Sequence, residues 1–391
     1  MKRFTSFNII FLTLLFIVGL CFSTSILADG GANHRKEQPG PILLGTTGGN
    51  INDISLLYCC GGTLGSLVQK SGTQYILSNN HVLARTNKAP IGEDIIHPGL
   101  IDQNPVCGKD NNDIVADLTA LKTISFKTGT TNTIDAAIAQ IRTGAVDTVD
   151  TTGSILDIGQ VSTSTVTPNI GMAVKKSGRT TGLTTGTITA INVTADIYYS
   201  KQCGIGSQKA RFVNQIMIGP GGFSKGGDSG SLIVENVACS DASPARPRAV
   251  GLLFAGSSSV TIANRISYVL SAFGVSMVGG GVCPTSGVIE EKNLFHRMVA
   301  WLFPSASAQP GTPVNPTAVA AASQAKNRHE NALLDIPGVV GAGVGLSGVA
   351  QGQVVIEVYV KELSEGLIRT IPKRLDGVSV EIVETGEIVA F

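Results

Sequence analysis

The sequence predicts a mainly β protein: antiparallel β-barrel architecture followed by a small C-terminal α+β domain. Composition is the first sign. Glycine (47 of 391 residues) and threonine are abundant, charged residues make up 15% and aromatics 5%. That mixture favours many short strands joined by glycine turns. The second sign is spacing. From Ile42 to about Val278 short apolar runs recur between Gly, Asn, Thr and Ser: Gly65-Ser66-Leu67-Val68, Thr187-Ile188-Thr189-Ala190-Ile191, Asn214-Gln215-Ile216-Met217-Ile218 and Val250-Gly251-Leu252-Leu253. Third, residues 326–391 carry three alternating segments behind a helix candidate. The length suits two domains plus extensions. A net charge of +1 gives no steering toward nucleic acid or anionic membrane.

Residues 1–28 have the pattern of a secretory signal: Lys2 and Arg3, an apolar core from Ile9 to Phe22, and a cleavage end at Ile26-Leu27-Ala28. A retained membrane anchor is the alternative. Cys21 follows Leu20, where a lipoprotein needs a small residue. No other stretch reaches membrane-spanning length, so the expected location is secreted or periplasmic/cell envelope, without stable membrane insertion after signal removal. Residues 29–41 are polar and proline-containing, a flexible lead-in. Residues 42–278 form the barrel domain.

Residues 279–325 form a connector. Leu294, Met298, Trp301 and Leu302 give Ile289–Phe303 the spacing of a short amphipathic helix. Pro304 to Ala322 has the composition of a linker. In residues 326–391, a helix candidate at Asn327–Leu334 precedes Ile336-Pro337-Gly338. The alternating segments are Val339–Gly345, Val354–Val360 and Val378–Val383. The Gly-rich segment is not a phosphate loop, because no Lys-Ser/Thr follows it. The long connector implies few contacts to the barrels, so a chain ending near Ala308 is expected to fold alone.

Beyond the signal the cysteines are Cys59, Cys60, Cys107, Cys203, Cys239 and Cys283. An even number in an exported chain favours disulfides. Connectivity is not readable, although Cys203 with Cys239 is favoured because both flank the Ser229 region. A zinc site is the alternative, but no Cys-x-x-Cys supports a metal, and no cofactor motif is present. Nothing sets the oligomeric state.

The chemistry centres on Gly226-Gly227-Asp228-Ser229-Gly230-Ser231-Leu232. Glycines on both sides let the backbone turn sharply and leave the Ser229 hydroxyl unshielded. The same turn can aim the N–H groups of Gly227 and Ser229 at one point, as an oxyanion hole requires. A plain glycine turn before a buried strand is the competing reading. A serine nucleophile needs a base held by a carboxylate. Of the five histidines, His81 stands where the apolar strand Tyr75-Ile76-Leu77 runs into the polar corner Ser78-Asn79-Asn80. Asp135 opens the apolar segment Ala136-Ala137-Ile138-Ala139 and could orient the imidazole; it could also merely start a strand. Asp113 and Asp117 are its rivals, in more polar contexts.

Gly227-Asp228-Ser229-Gly230 resembles the nucleophile motif of the chymotrypsin-like (trypsin-fold) serine peptidases. Their chain order is His, Asp, Ser, as in His81, Asp135 and Ser229. Cys60-Gly61-Gly62-Thr63-Leu64 is similar to the strand before their histidine. Val174 to Ala190 resembles a hairpin of the bacterial α-lytic/streptogrisin branch. The resemblance covers residues 42–278. It implies a chymotrypsin-like double antiparallel β-barrel, with His81 and Asp135 from the first barrel and Ser229 from the second. It implies a protein or peptide substrate and no nucleic acid partner. Val250–Gly256 would pair with substrate backbone, with Phe254, Ala255 and Gly256 at the specificity pocket. Phe223 matches the base of that pocket, or is simply core.

The chain also departs from the family. Val82 stands where a cysteine often follows the histidine, and Lys175 and Thr185 stand where a hairpin disulfide would be. No basic activation site precedes Ile42, so a freed N-terminus is not the expected partner for Asp228. The expected function is an exported serine endopeptidase acting through an acyl-enzyme. The alternatives are an inactive binding or scaffold protein of the same fold and an esterase using the same triad.

Overall fold

The computed structural model describes residues 31, 33–237, 246–281, 314–350 and 352–391. The signal-like segment, the helix read over 289–303, and Cys239 and Cys283 lie outside them. The strands of the first half are β1 (Thr46–Asn50), β2 (Gly62–Leu64), β3 (Ser66–Lys70), β4 (Thr73–Ser78), β5 (Asp94–Ile96), β6 (Ile114–Leu121), β7 (Thr131–Asn132) and β8 (Ala137–Ile141). A small hairpin, β9 (Ser154–Ile155) and β10 (Gly159–Gln160), leads onward. Then come β11 (Ala173–Lys176), β12 (Thr184–Tyr199), β13 (Gln208–Gly219), β14 (Leu232–Glu235), β15 (Ala249–Gly256), β16 (Thr261–Arg265) and β17 (Ser276–Met277). The C-terminal part adds β18 (Val339–Leu346), β19 (Val354–Val360), β20 (Arg374–Leu375), β21 (Val378–Glu384) and β22 (Val389–Ala390).

The protein is mainly β, as expected. The first sheet has the order β17-β3-β4-β8-β6-β5-β1-β2. Only Gly65 separates β2 from β3 in sequence, although they stand toward opposite ends of that order, so the sheet curls round on itself. The second sheet closes by pairing: β12-β11-β14-β15-β16-β13 is continuous, and β13 pairs back onto β12. Closure removes the exposed edges that an open sheet would leave. Apolar side chains fill the interiors: Leu67, Ile76, Leu77, Ile95, Val115 and Leu118 are buried in the first, and Val174, Ile188, Ile216, Ile233 and Leu253 in the second. Each such side chain contributes about 1.5–3 kcal/mol on leaving water. Lys175 and Thr185 lie directly opposite each other in the β11–β12 ladder, so no disulfide spans that rung.

Several expectations are corrected. Residues 33–41, expected as a flexible lead-in, pack on the barrels: His34 is buried and its Nε2 lies 2.8 Å from Ser177 Oγ. Cys203 is joined to Cys60, not to Cys239, and Cys59 to Cys107. The Cys60–Cys203 bridge ties the segment before β2 to the loop after β12.

The stretch 316–322, read as linker, is the start of a helix, Pro316–Leu334. Asn315 caps it, accepting from the Thr317 N–H at 2.9 Å, and Pro316 sits in its first turn, where a missing N–H costs nothing. Residues 326–391 are not loosely held. β18 pairs antiparallel with β12, placing Val344 opposite Ile191 and Ala342 opposite Thr194, so the C-terminal sheet continues the second barrel's sheet. The helix covers that junction. Lys326, buried, donates to Thr194 Oγ1 at 2.8 Å, and Asn192 Nδ2 donates to Ser323 Oγ at 2.6 Å. Ala322, Leu333 and Ile356 share one core with Ile188, Ile216 and Val250. No helix among the described residues is long and apolar enough to cross a membrane.

Candidate active site

The β4–β8 ladder sets Ser78 opposite Ala137. The chain leaving β4 reaches His81 just as the chain entering β8 passes Asp135, so the two meet beyond the end of the ladder. His81 lies on the short helix α1 (Asn80–Leu83). Its Nδ1 is 2.6 Å from Asp135 Oδ2, and its backbone N–H donates to Oδ1 at 3.3 Å. Asp135 is fully buried. A buried carboxylate is tolerated only when its oxygens are hydrogen-bonded, and a third donor, the Tyr199 hydroxyl, reaches Oδ2 at 2.9 Å. Burial and the neighbouring Asp135 charge push the Tyr199 hydroxyl well above its ordinary range, so it remains a donor. Asn264 holds the Asp135 backbone at both ends: its Oδ1 accepts the Asp135 N–H at 3.1 Å and its Nδ2 donates to the Asp135 carbonyl at 3.2 Å. Asn79 Nδ2 donates to the same carbonyl at 2.7 Å.

The rival carboxylates are engaged elsewhere. Asp113 accepts from Gln103 Nε2 at 2.6 Å, and Asp117 is paired with Arg142. His34 and His97 are buried, His97 with Nδ1 on the Thr47 carbonyl at 2.7 Å, and His329 pairs with Asp376; His296 lies outside the described residues.

Ser229 sits in a turn that demands glycine. Gly227 and Gly230 both have φ +94°, and a Cβ on Gly230 would collide with Ser78 Oγ and the Thr63 carbonyl. The turn docks on β2, where the Thr63 N–H donates to the Ser229 carbonyl at 2.8 Å and Thr63 Oγ1 to the Gly227 carbonyl at 3.0 Å. Thus the loop of the second barrel is held by a strand of the first. The Gly227 and Ser229 N–H groups have no acceptor among the described residues. The Ser229 hydroxyl donates to the Phe254 carbonyl at 3.1 Å rather than to His81.

Asp228 points inward and is fully buried. It accepts the Thr180 and Thr181 N–H groups at 2.8 and 3.1 Å, Thr181 Oγ1 at 2.7 Å and the Lys225 N–H at 2.9 Å. Its charge partner is the buried Lys176, with Nζ 3.6 Å from Oδ2. Burial pushes the Lys176 ammonium down to about 8 against the pull of Asp228. An internal lysine therefore balances Asp228.

The pocket residues divide. Phe254 turns its side chain into the core, 4.8 Å from the Phe212 ring, and only its carbonyl faces the site. Phe223 is buried in the second core with Ile188 and Ile218. Ala255 and Gly256 expose their backbone to β22: Ala255 is opposite Ala390 and Gly256 opposite Val389. The Phe391 main-chain oxygen is 3.0 Å from His81 Nε2. A cavity of about 240 Å³ opens beside His81, Tyr199 and Phe391.

Lys176, Tyr199, Asn264 and the tail were not among the residues picked from the sequence. A period-two signal marked two of them. Val174 and Lys176 share the inward register of β11, and Ile197 and Tyr199 that of β12. A charged or hydroxyl-bearing side chain on an inward register requires a partner.

Comparison with known proteins gives the following. A family profile described as the Nal1 C-terminal domain matches residues 130–267. No curated protein matches the chain. Among solved structures, a glutamic acid specific serine protease, described as using a histidine triad in substrate binding, is 22% identical. It covers 60% of this chain and 100% of its own, with a TM-score of 0.40. Thermobifida fusca protease A is 18% identical over 61% of this chain and 99% of its own, TM-score 0.40. Nocardiopsis protease is 16% identical over 56% and 92%, TM-score 0.36. These likenesses are to serine proteases.

Proposed function

We propose that the chain is an exported serine endopeptidase. Ser229 attacks the scissile carbonyl, and His81 takes its proton and returns it to the leaving amine. Asp135 fixes the imidazole tautomer and balances the charge that forms on it. The Gly227 and Ser229 N–H groups receive the oxyanion. The observations that carry this reading are the His81–Asp135 contact of 2.6 Å and a serine turn whose two N–H groups have no acceptor among the described residues. The substrate is a protein or peptide strand laid along β15. Export is supported by the signal-like start of the sequence and by the two disulfides.

A second reading, an inactive binding protein, draws on the Ser229 hydroxyl donating to Phe254 instead of His81. Hydrolysis of a casein or peptide substrate separates the two. Because Phe391 covers His81, the assay uses the chain shortened to Ile388 alongside the full chain. Endopeptidase activity that disappears with Ser229→Ala is expected. A folded shortened chain that cleaves no peptide, or cleaves esters alone, would overturn it.

A further inference from the structure

The strand at the end of the sequence lies where a peptide would bind. β22 runs antiparallel to β15, and the Phe391 N–H donates to the Phe254 carbonyl at 3.3 Å. This is strand addition to a sheet, with backbone bonds setting register and one side chain entering a pocket. Phe391 is that side chain. It lines a cavity with Gly222, Ser224, Gly226, Ser257 and Ser258. A Cβ on Gly256 would lie 2.6 Å from Phe391 Cζ, so the absence of a side chain there admits the ring. The Phe391 oxygen meets His81 Nε2 at 3.0 Å and so covers the imidazole nitrogen that would serve as the base. Upstream, the tail is anchored by the fully buried Ile388, whose carbonyl accepts the Tyr198 N–H at 3.0 Å.

Resting on the peptidase reading, we propose that Val389-Ala390-Phe391 occupies the acyl side of the cleft as a built-in inhibitor, and that the site takes peptides with a large apolar, preferably aromatic, residue before the cut. Phe391 fills the primary pocket, and Gly256 sets its width. Held in the same molecule, the tail acts at a high effective concentration and needs little affinity to keep the site closed.

The test compares the full chain, full chain carrying Phe391→Asp, and the chain shortened to Ile388, which keeps the buried anchor. Each is assayed with a serine-directed fluorophosphonate and with peptide substrates differing only in the residue before the cut: Phe, Leu, Arg or Glu. Both altered chains should react about tenfold faster or more than the full chain. The shortened chain should prefer Phe, and the free peptide Ile-Val-Ala-Phe should inhibit it by raising KM. Equal rates for all three chains with no inhibition by the peptide would overturn the proposal, as would a preference for Arg or Glu. Binding of a fluorescent Ile-Val-Ala-Phe to the shortened Ser229→Ala chain tests the same pocket without catalysis. Binding there with no labelling of the shortened parent would sink the peptidase reading and leave the tail site standing. Absence of binding alongside normal labelling would do the reverse.

Discussion

His81 stands between two acceptors, Asp135 on Nδ1 and the Phe391 oxygen on Nε2. Only the imidazolium donates from both nitrogens. Burial works against that charge, but the Asp135 charge and hydrogen bond, the Phe391 oxygen and the more distant Asp53 hold the pKa above its ordinary 6.5. A general base works only when neutral, so activity should rise with pH through this pKa and be lost below it. The acid limb of the pH–rate profile is therefore expected above 6.5 in the full chain. It should move down when Val389–Phe391 are removed, because one contact favouring the charged form goes with them. An unmoved limb would contradict that contact. Asp135→Asn should cut kcat by about 10⁴ through the wrong tautomer. The same loss from Asp113→Asn or Asp117→Asn instead would show that the carboxylate is misassigned. Tyr199→Phe removes a hydrogen bond to a buried carboxylate, worth about 1.5–3 kcal/mol. It should lower kcat roughly tenfold or more with KM nearly unchanged, whereas a purely structural role would move thermal stability alone.

The glycine turn depends on an element outside itself, the inward lysine of β11. Removing one partner of a buried pair costs about 3–5 kcal/mol. Lys176→Met should therefore lower the unfolding midpoint steeply and, by freeing Asp228, disorder the Gly227 and Ser229 N–H groups. An unchanged midpoint with unchanged kcat would dismiss the pair. Since burial lowers the Lys176 pKa from 10.5 to about 8, the unfolded chain holds this proton more tightly between those values. That residue's contribution to stability then rises with pH between about 8 and 10.5 and is level below 8. At this scale the sequence was legible where local chemistry fixes structure. The glycines around Ser229, the apolar run before His81 and the small residues after Asp135 each point to one conformation. It was illegible where a partner came from far along the chain. Nothing in Lys176 names Asp228, and nothing in Ala390 or Phe391 names β15. The helix Pro316–Leu334 was hidden for another reason: a run rich in alanine after prolines has linker composition, and only Asn315-Pro316 marks it as a capped helix start.

At the scale of the whole molecule the C-terminal part continues the second barrel's sheet instead of trailing it. A chain ending near Ala308 would expose the β12 edge along Ala190–Ala195 and uncover the core under Ile188 and Ile216. Unpaired edges and bare apolar faces favour association. That truncation should therefore aggregate, or lose its cooperative thermal transition, whereas the chain ending at Ile388 keeps both the sheet and the buried anchor. A cooperative, monomeric product ending at Ala308 would show that the junction is dispensable. In the proposed reaction Ser229, activated by His81, is the nucleophile. The most direct measurement is the mass of the Ile388-ended chain after reaction with a fluorophosphonate, with the adduct located by digestion. A single adduct on Ser229 is expected, slowed by orders of magnitude in His81→Ala and absent in Ser229→Ala. A folded chain that acquires no adduct, or one that keeps it in Ser229→Ala, would contradict it.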